Sequence, residues 1–380
     1  MLAIINGKII TMEGKVYPKG SVLIDEGKIM AVGDNVLIPK GMNVINAAGK
    51  VVMPGLVDAH CHVGLMEEIY QVEGNDLNET TNPITPHLRA LDGINPEDEA
   101  FRDAVRAGVT TVAVAPGSAN VVGGQIVVMK TFGNVVDRMV LKQPAGLKIA
   151  FGENPKRVYG DNKKMPSTRM ATAGLLREIF VKAQNYAAKS HERDITLEPV
   201  IQVQKKEISL HAHAHRSDDI MTAVRIAKEF DLPLVIIHGT DSYKVVQELT
   251  VAGIPVVSGP HLVNRAKVEM KDKTWKTPAI LTQAGIKVAL MTDHPVLPIQ
   301  YLSLCASLAY RAGMSEEDAL KAITITPAEI LGVSQRIGSL AKGKDADIII
   351  SSGSILSMET VMETVIINGK VVFQNRGEPA

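Results

Sequence analysis

The residues best suited to chemistry are histidines, and nearly all fall where an apolar run ends. His60 and His62 close "KVVMPGLVDAHCH" two positions apart. On a strand, residues two apart project from one face, so both imidazoles point to the same place. His211, His213 and His215 lie in "ISLHAHAH", His238 ends "PLVIIHG", His261 follows "IPVVSGP", and Asp293-His294 end "IKVALMTDH". Neutral imidazole and carboxylate are the usual ligands of zinc and similar divalent ions. Four histidines with Asp293 would suffice for two ions. Two dications roughly 3.5–4 Å apart repel by on the order of 20 kcal/mol at an effective dielectric near 20, so such a pair needs a bridging anion. Glu153 in "FGENPKR" is already an anion and is the preferred bridge. Lys148 in "GLKIAFG" stays open as the alternative, because carbon dioxide would convert its amine to a carbamate.

These positions need a scaffold that brings strand ends together. Strand-like runs alternate with amphipathic stretches such as 96–108, 172–189, 218–231 and 315–323. The runs are 49–60, 108–117, 126–132, 146–152, 208–214, 233–239, 254–260 and 286–294. Unbroken apolar runs fit strands buried on both faces of a parallel sheet. Eight such units in about 280 residues predict a (β/α)8 barrel, whose strand C-termini converge on one mouth. A doubly wound open sheet is the competitor, and the unit near 126–142 carries the weakest signal. "LAIINGKIIT" at Leu2 and "TVIINGKVVF" at Thr364 echo each other around Asn-Gly, a short hairpin signal. Strands at both ends of the chain predict one small β domain assembled from the two termini.

Composition narrows the function classes. The chain has 380 residues, and 41 Lys plus Arg balance 41 Asp plus Glu, so no global field draws nucleic acid or an anionic membrane. Cys61 and Cys305 are its two cysteines, which excludes a disulfide framework and suits a reducing compartment. The N-terminus reads as strand and turn instead of a signal peptide, and no apolar run approaches a membrane span. A cytoplasmic protein acting on a small molecule is expected, and self-association into a homo-oligomer stays open.

The sequence resembles the amidohydrolase superfamily along essentially its whole length. The motifs that carry this are "INGKIIT", "GKVVMPGLVDAHCH", "HAHRSDDI", "IIHGT", "MTDHP", "TPAEILGV", "IGSLAKGKDADIII" and "VIINGKVV". It is most similar to the imidazolonepropionase-related metal-dependent hydrolases. The resemblance implies a distorted (β/α)8 TIM-like barrel over 54–335, with a small composite β-sandwich domain from 1–53 and 336–380. It implies that His60 and His62 bind a first metal, and that His213 is the strand-five ligand, with His211 as the alternate if the register slips by two. His238 would be the strand-six ligand, and Asp293 would both ligate metal and handle the proton. Lysine-bridged members carry their lysine where Lys148 stands. The cofactor would be a divalent metal, two ions by count, with zinc expected and manganese or iron as substitutes.

The implied reaction is hydrolysis of a C–N bond in an amide, dipeptide-like or cyclic-amide substrate through a metal-activated water. His261 or Tyr159 would steady a substrate oxygen, and Arg216 or Arg157 would meet a substrate carboxylate. The loop 153–164 would cover the site, and Gly123-Gly124 would permit close backbone approach to a ligand. Cys61 would face the barrel wall. A mononuclear deaminase of a nitrogen heterocycle is the alternative. Family deaminases place a glutamate after the strand-five histidine, whereas here Ala214-His215-Arg216-Ser217 follows. A non-catalytic binding protein on the same scaffold would be expected to have lost ligands.

Overall fold

The structure is a computed structural model describing residues 1–188 and 192–375. Two sheets organise it, and the first draws on both ends of the chain. Its N-terminal strands are β1 (Leu2–Ile10), β2 (Val16–Asp25), β3 (Lys28–Gly33), β4 (Asn43–Asn46) and β5 (Val51–Pro54). The second sheet runs through β6 (Leu56–Cys61), β7 (Val109–Val114), β8 (Val122–Lys130), β9 (Val140–Ala150), β10 (Ser209–Ala214), β11 (Leu234–His238), β12 (Val256–Ser258) and β13 (Val288–Leu290). The chain then returns to the first sheet as β14 (Ile348–Ser351), β15 (Met362–Ile367) and β16 (Lys370–Gln374).

The first sheet is one hydrogen-bonded network in the order β16-β15-β14-β5-β1-β2-β3, with β4 also paired to β1. Its strands form one continuous hydrogen-bonded path that wraps a core of its own. Alternation explains what it packs against. Ile348, Ile350, Val52 and Ile366 enter a core with Ile4, Ile24 and Ile29, while Ile349, Met53, Val365 and Ile367 point the other way, into a cluster with the barrel. The central strands are thus covered on both faces, and the small domain shares its outer core with the barrel.

The two Asn-Gly echoes part ways. Asn368 (φ 50°) and Gly369 (φ 74°) form the tight turn between β15 and β16, as the motif predicts. Asn6-Gly7 instead lies inside β1 as an irregularity, where β1 changes partner from β4 to β5. A Cβ on Gly7 would come within 2.6 Å of Val52 Cγ2, so the close approach of β5 requires glycine there.

The second sheet keeps sequence order from β6 to β13 and nearly closes on itself. β6, β7, β8 and β11 are buried along their whole lengths, as strands covered on both faces must be. The weak third unit departs from the expected pattern, because β8 runs antiparallel to both β7 and β9. The cause is the short link 115–121, since a parallel crossover needs about a dozen or more residues. Helices cover the outside. Among them, Glu99–Arg106 is capped by the Asp98 side chain, Arg169–Ala187 by Thr168, and Glu316–Lys321 by Ser315. Of the expected segments, Lys189 at the end of 172–189 and residues 376–380 of the C-terminal part lie outside the described residues.

β6 and β13 form no ladder with each other among the described residues. The seam is bridged instead by Ala322 and Ile323, whose carbonyls accept from Leu290 N–H and Val57 N–H, each at 2.9 Å. At the mouth, Asp293 N–H donates to His60 O (3.2 Å) and His62 N–H to His294 O (2.9 Å). The buried Asp58 carboxylate accepts from His60 N–H (3.1 Å) and from both Thr292 N–H (3.1 Å) and Thr292 Oγ (2.5 Å). No helix among the described residues is long and apolar enough to cross a membrane.

Candidate metal centre

Each functional side chain reaches the mouth by a local backbone device. The pairing of β6 with β7 slips between Asp58 and Cys61, and the His60 and His62 rings come together with centroids 5.1 Å apart. Cys61 packs outward with Val63, Phe101 and Val114, as expected. On β10, Leu210, Ala212 and Ala214 pack against the outer helices, leaving His211, His213 and His215 on the opposite, inner face. On β11, Leu234 and Ile236 also face outward, and simple alternation would send His238 with them. His238 instead has φ 73°, which turns its ring into the mouth, and Asp293 has φ 55°. Two non-glycine residues held in the left-handed region at strand ends mark strain stored at a functional site.

Two buried donor groups result. His60, His62 and Asp293 bring one ligand atom each within 4.8 Å of one another, and so do His213, His215 and His238. In the first, Asp293 Oδ1 lies 3.4 Å from His60 Nε2 and 3.3 Å from His62 Nε2. In the second, the rings of His215 and His238 stack at 4.4 Å, with His213 edge-on to both. Lys148 reaches the first group, its Nζ 3.2 Å from His60 Nε2 and donating to Pro116 O at 3.2 Å, and lines the same cavity as the second.

The donor chemistry fits a divalent cation. His62 Nδ1–H donates to Ala115 O (2.7 Å) and His238 Nδ1–H to Gly259 O (2.8 Å), which leaves Nε2 of each ring with its lone pair free. That is the outer support metal-ligating histidines ordinarily have. Both ring nitrogens of His213 are buried without a hydrogen-bond partner. Burial, then neighbouring positive groups, pushes the pKa values of His60, His213 and His238 well below the ordinary imidazole value. His215 falls to about 4 by burial, although Glu269 opposes the shift. Burial brings the Lys148 amine down to about 8 despite the nearby Asp293 charge. Neutral imidazoles are the form that binds metal.

The groups open on a cavity of about 520 Å³ whose wall includes His62, Lys148, His213, His215, His238 and Asp293. Of the two bridge candidates, Lys148 lies on this wall and Glu153 does not. Glu153 begins the helix Glu153–Asp161, with its backbone N–H bound to Glu269 Oε2. His213, not His211, belongs to the donor group, since His211 sits two residues deeper on β10, paired with Lys148 in the β9–β10 register.

The substrate contacts come out differently from expectation. Tyr159 is fully buried, and its hydroxyl lies 2.9–3.1 Å from Glu79 O, Asn82 O and Asn120 Oδ1, so it pins the 79–82 segment and does not reach the cavity. His261 packs behind the wall against Trp275, with Nε2 3.0 Å from Ser258 Oγ. Arg216 is spent on Asp218, which it grips through Nε and Nη2 at 2.9 Å each. Arg157 does line the cavity, as does Asn154 of the same 153–164 segment. Gly124 (φ 132°) answers to the chain's own fold and not to a ligand, because a Cβ there would sit 2.5 Å from Leu88 O.

Two residues went unassigned in the sequence. His215 as a donor was signalled by its place in the His211, His213, His215 alternation. Glu269, buried beside the second group, had no such signal, for it stands on the short turn Val268–Met270 beyond β12.

Comparison with known proteins places this geometry in context. The amidohydrolase family model matches residues 51–372. The chain is 28% identical over 94% of its length to Amidohydrolase tasK of Hapsidospora irregularis, of which it spans only 40%. It is 26% identical over 89% of its length to the imidazolonepropionase of Thermoplasma acidophilum, covering 84% of that protein. Among solved structures, an amidohydrolase from Thermotoga maritima MSB8 superposes with a TM-score of 0.96 at 46% identity, covering 99% of this chain and 100% of that one. A prolidase complexed with N-methylphosphonate-L-proline, at 18% identity and a TM-score of 0.66, shares the fold.

Proposed function

The chain belongs to the amidohydrolase family, and from that premise we propose that it hydrolyses a C–N bond in an amide, dipeptide-like or cyclic-amide substrate with the help of two divalent ions. The observation that carries this is the pair of buried donor groups, His60/His62/Asp293 and His213/His215/His238, facing one cavity whose wall includes Lys148 beside His60. Bound there, divalent ions would polarise the scissile carbonyl and lower the pKa of an attacking water.

The chain's own residues supply the rest. Lys148 replaces Glu153 as the bridge: its amine nitrogen bonds to the carbon of carbon dioxide, releases a proton, and leaves a carbamate anion between the two groups. Asp293 accepts the proton of the attacking water and passes it to the leaving nitrogen. The left-handed turn at Asp293 and its N–H···O bond to His60 hold that carboxylate over the first group. Arg157 is the cavity's candidate partner for a substrate carboxylate, in place of Arg216. The imidazolonepropionase relative supports a cyclic amide, and apolar wall residues such as Met66, Leu77, Val158 and Met270 suit an uncharged side chain beside it.

The experiment is a metal assay joined to a substrate panel. Protein purified without chelators is assayed for metal, and N-acyl amino acids, dipeptides and cyclic amides are then offered with zinc or manganese. Close to two equivalents and hydrolysis that disappears in Asp293→Asn is the expected result. No hydrolysis across the panel would overturn the reading, and ammonia release from a purine or pyrimidine in its place would move the chain to the deaminases.

A further inference from the structure

Glu269 is a buried carboxyl group whose nearest cation is Lys267, paired with it at 3.6 Å. It is 2% exposed, and its Oε1 has no hydrogen-bond partner. That oxygen lies 3.7 Å from His215 Nε2 and 3.9 Å from His213 Nε2, while Oε2 accepts from Glu153 N–H at 3.1 Å. Lys267 Nζ comes within 3.6 Å of Oε1, beyond hydrogen-bond reach, from a partly exposed position on the cavity wall.

The neighbourhood shows that this placement is held on purpose. Asp219 lies beside the same glycine and has its own cation, Arg169 Nε at 2.9 Å. Glu269 has only the longer contact to Lys267 at 3.6 Å. Gly152 (φ 84°) makes the room, because a Cβ there would come 2.6 Å from Glu269 Oε2. The carboxylate is therefore clamped on one oxygen by the start of the helix Glu153–Asp161 and aims the other at the two imidazoles.

We propose that Glu269 is a fourth protein donor of the second group, so that His213, His215, His238 and Glu269 together bind one divalent ion. This deepens the two-ion reading above and rests on it. The second group would then supply four protein donors besides the Lys148 bridge, while the first supplies His60, His62 and Asp293 and keeps room for a substrate.

The test is zinc affinity, read without turnover. Wild-type protein, stripped with a chelator, is titrated with zinc against a chromophoric competitor, alongside Glu269→Gln and Lys267→Met, with folding checked by circular dichroism. Loss of an outer support typically lowers metal affinity 10–100-fold, so loss of a ligand should exceed about 100-fold. The expected result is one tight site retained in Glu269→Gln, the other weakened by more than about 100-fold, and both kept in Lys267→Met. A smaller loss in Glu269→Gln, or an equal loss in Lys267→Met, would overturn the assignment. If Glu269→Gln does not fold, Gly152→Ala gives the same readout by crowding Oε2, and unchanged affinity there overturns it. Wild-type protein that binds fewer than two ions would sink the two-ion reading itself, a different failure from two ions held equally by wild type and Glu269→Gln.

Discussion

Lys148 Nζ lies 3.2 Å from His60 Nε2, on the wall of the cavity that both histidine groups face. Lysine at that spot is an odd choice for a cluster awaiting cations, since an ammonium would repel them. Lys148→Ala is therefore expected to lower metal content from two equivalents toward one and to abolish hydrolysis. Glu153→Gln should leave both unchanged. Metal analysis of the two variants decides between them, and a reversed result would restore Glu153 as the bridge.

Asp293 stands over the first group with its own backbone strained. Asp293→Asn keeps the shape, removes the proton acceptor and replaces an anionic donor of the first group with a neutral one. Such a loss should lower kcat by about 10²–10⁴-fold. Steady-state rates at saturating substrate measure it, and a change under tenfold would assign the proton to another group.

Tyr159 should make stability alkali-sensitive. Burial and the Glu79 charge raise its pKa from 10.0 to about 12. Between those values the unfolded chain has released the proton and the folded chain has kept it, so the native state binds more protons and stability falls as pH rises. Below pH 10 both states are protonated and the contribution is whole. Urea titrations from pH 9 to 12 should show this decline in the wild type and a flatter curve in Tyr159→Phe. Equal slopes would mean the hydroxyl is solvated.

Lys130, on the reversed strand β8, is buried against Asp345 at 3.1 Å and pairs with Asp347, tying the barrel to the C-terminal part of the small sheet. Removing one partner of a buried pair typically costs about 3–5 kcal/mol. Lys130→Met should destabilise by that order in urea unfolding, and a change below about 1 kcal/mol would show that the aspartates find other partners.

How much of this could be read beforehand depended on whether local pattern and tertiary contact agreed. The histidines at run ends were legible because strand alternation and barrel geometry both send them to the mouth. β8 was not, since an apolar run looks the same in either direction and only the short 115–121 link reveals the reversal. Tyr159, His261 and Arg216 sit near the right segments, yet each is turned from the cavity by a partner the sequence does not announce: Asn120, Ser258 and Asp218. Asn6-Gly7 failed as a hairpin because a bulge that lets β1 switch partners needs the same left-handed backbone as a tight turn.

The stitched seam between β6 and the end of β13 also sets an order of assembly during synthesis. Asp58 and Thr292, which clasp across it, are 234 positions apart. A nascent chain that has reached residue 290 already carries every imidazole of the second group, along with Lys148, but the first group has only His60 and His62. Its carboxylate emerges among the last residues of the barrel wall, with Ala322 and Ile323 still to come. The first group is therefore completed only when the ring shuts, late in synthesis, while the second can form earlier.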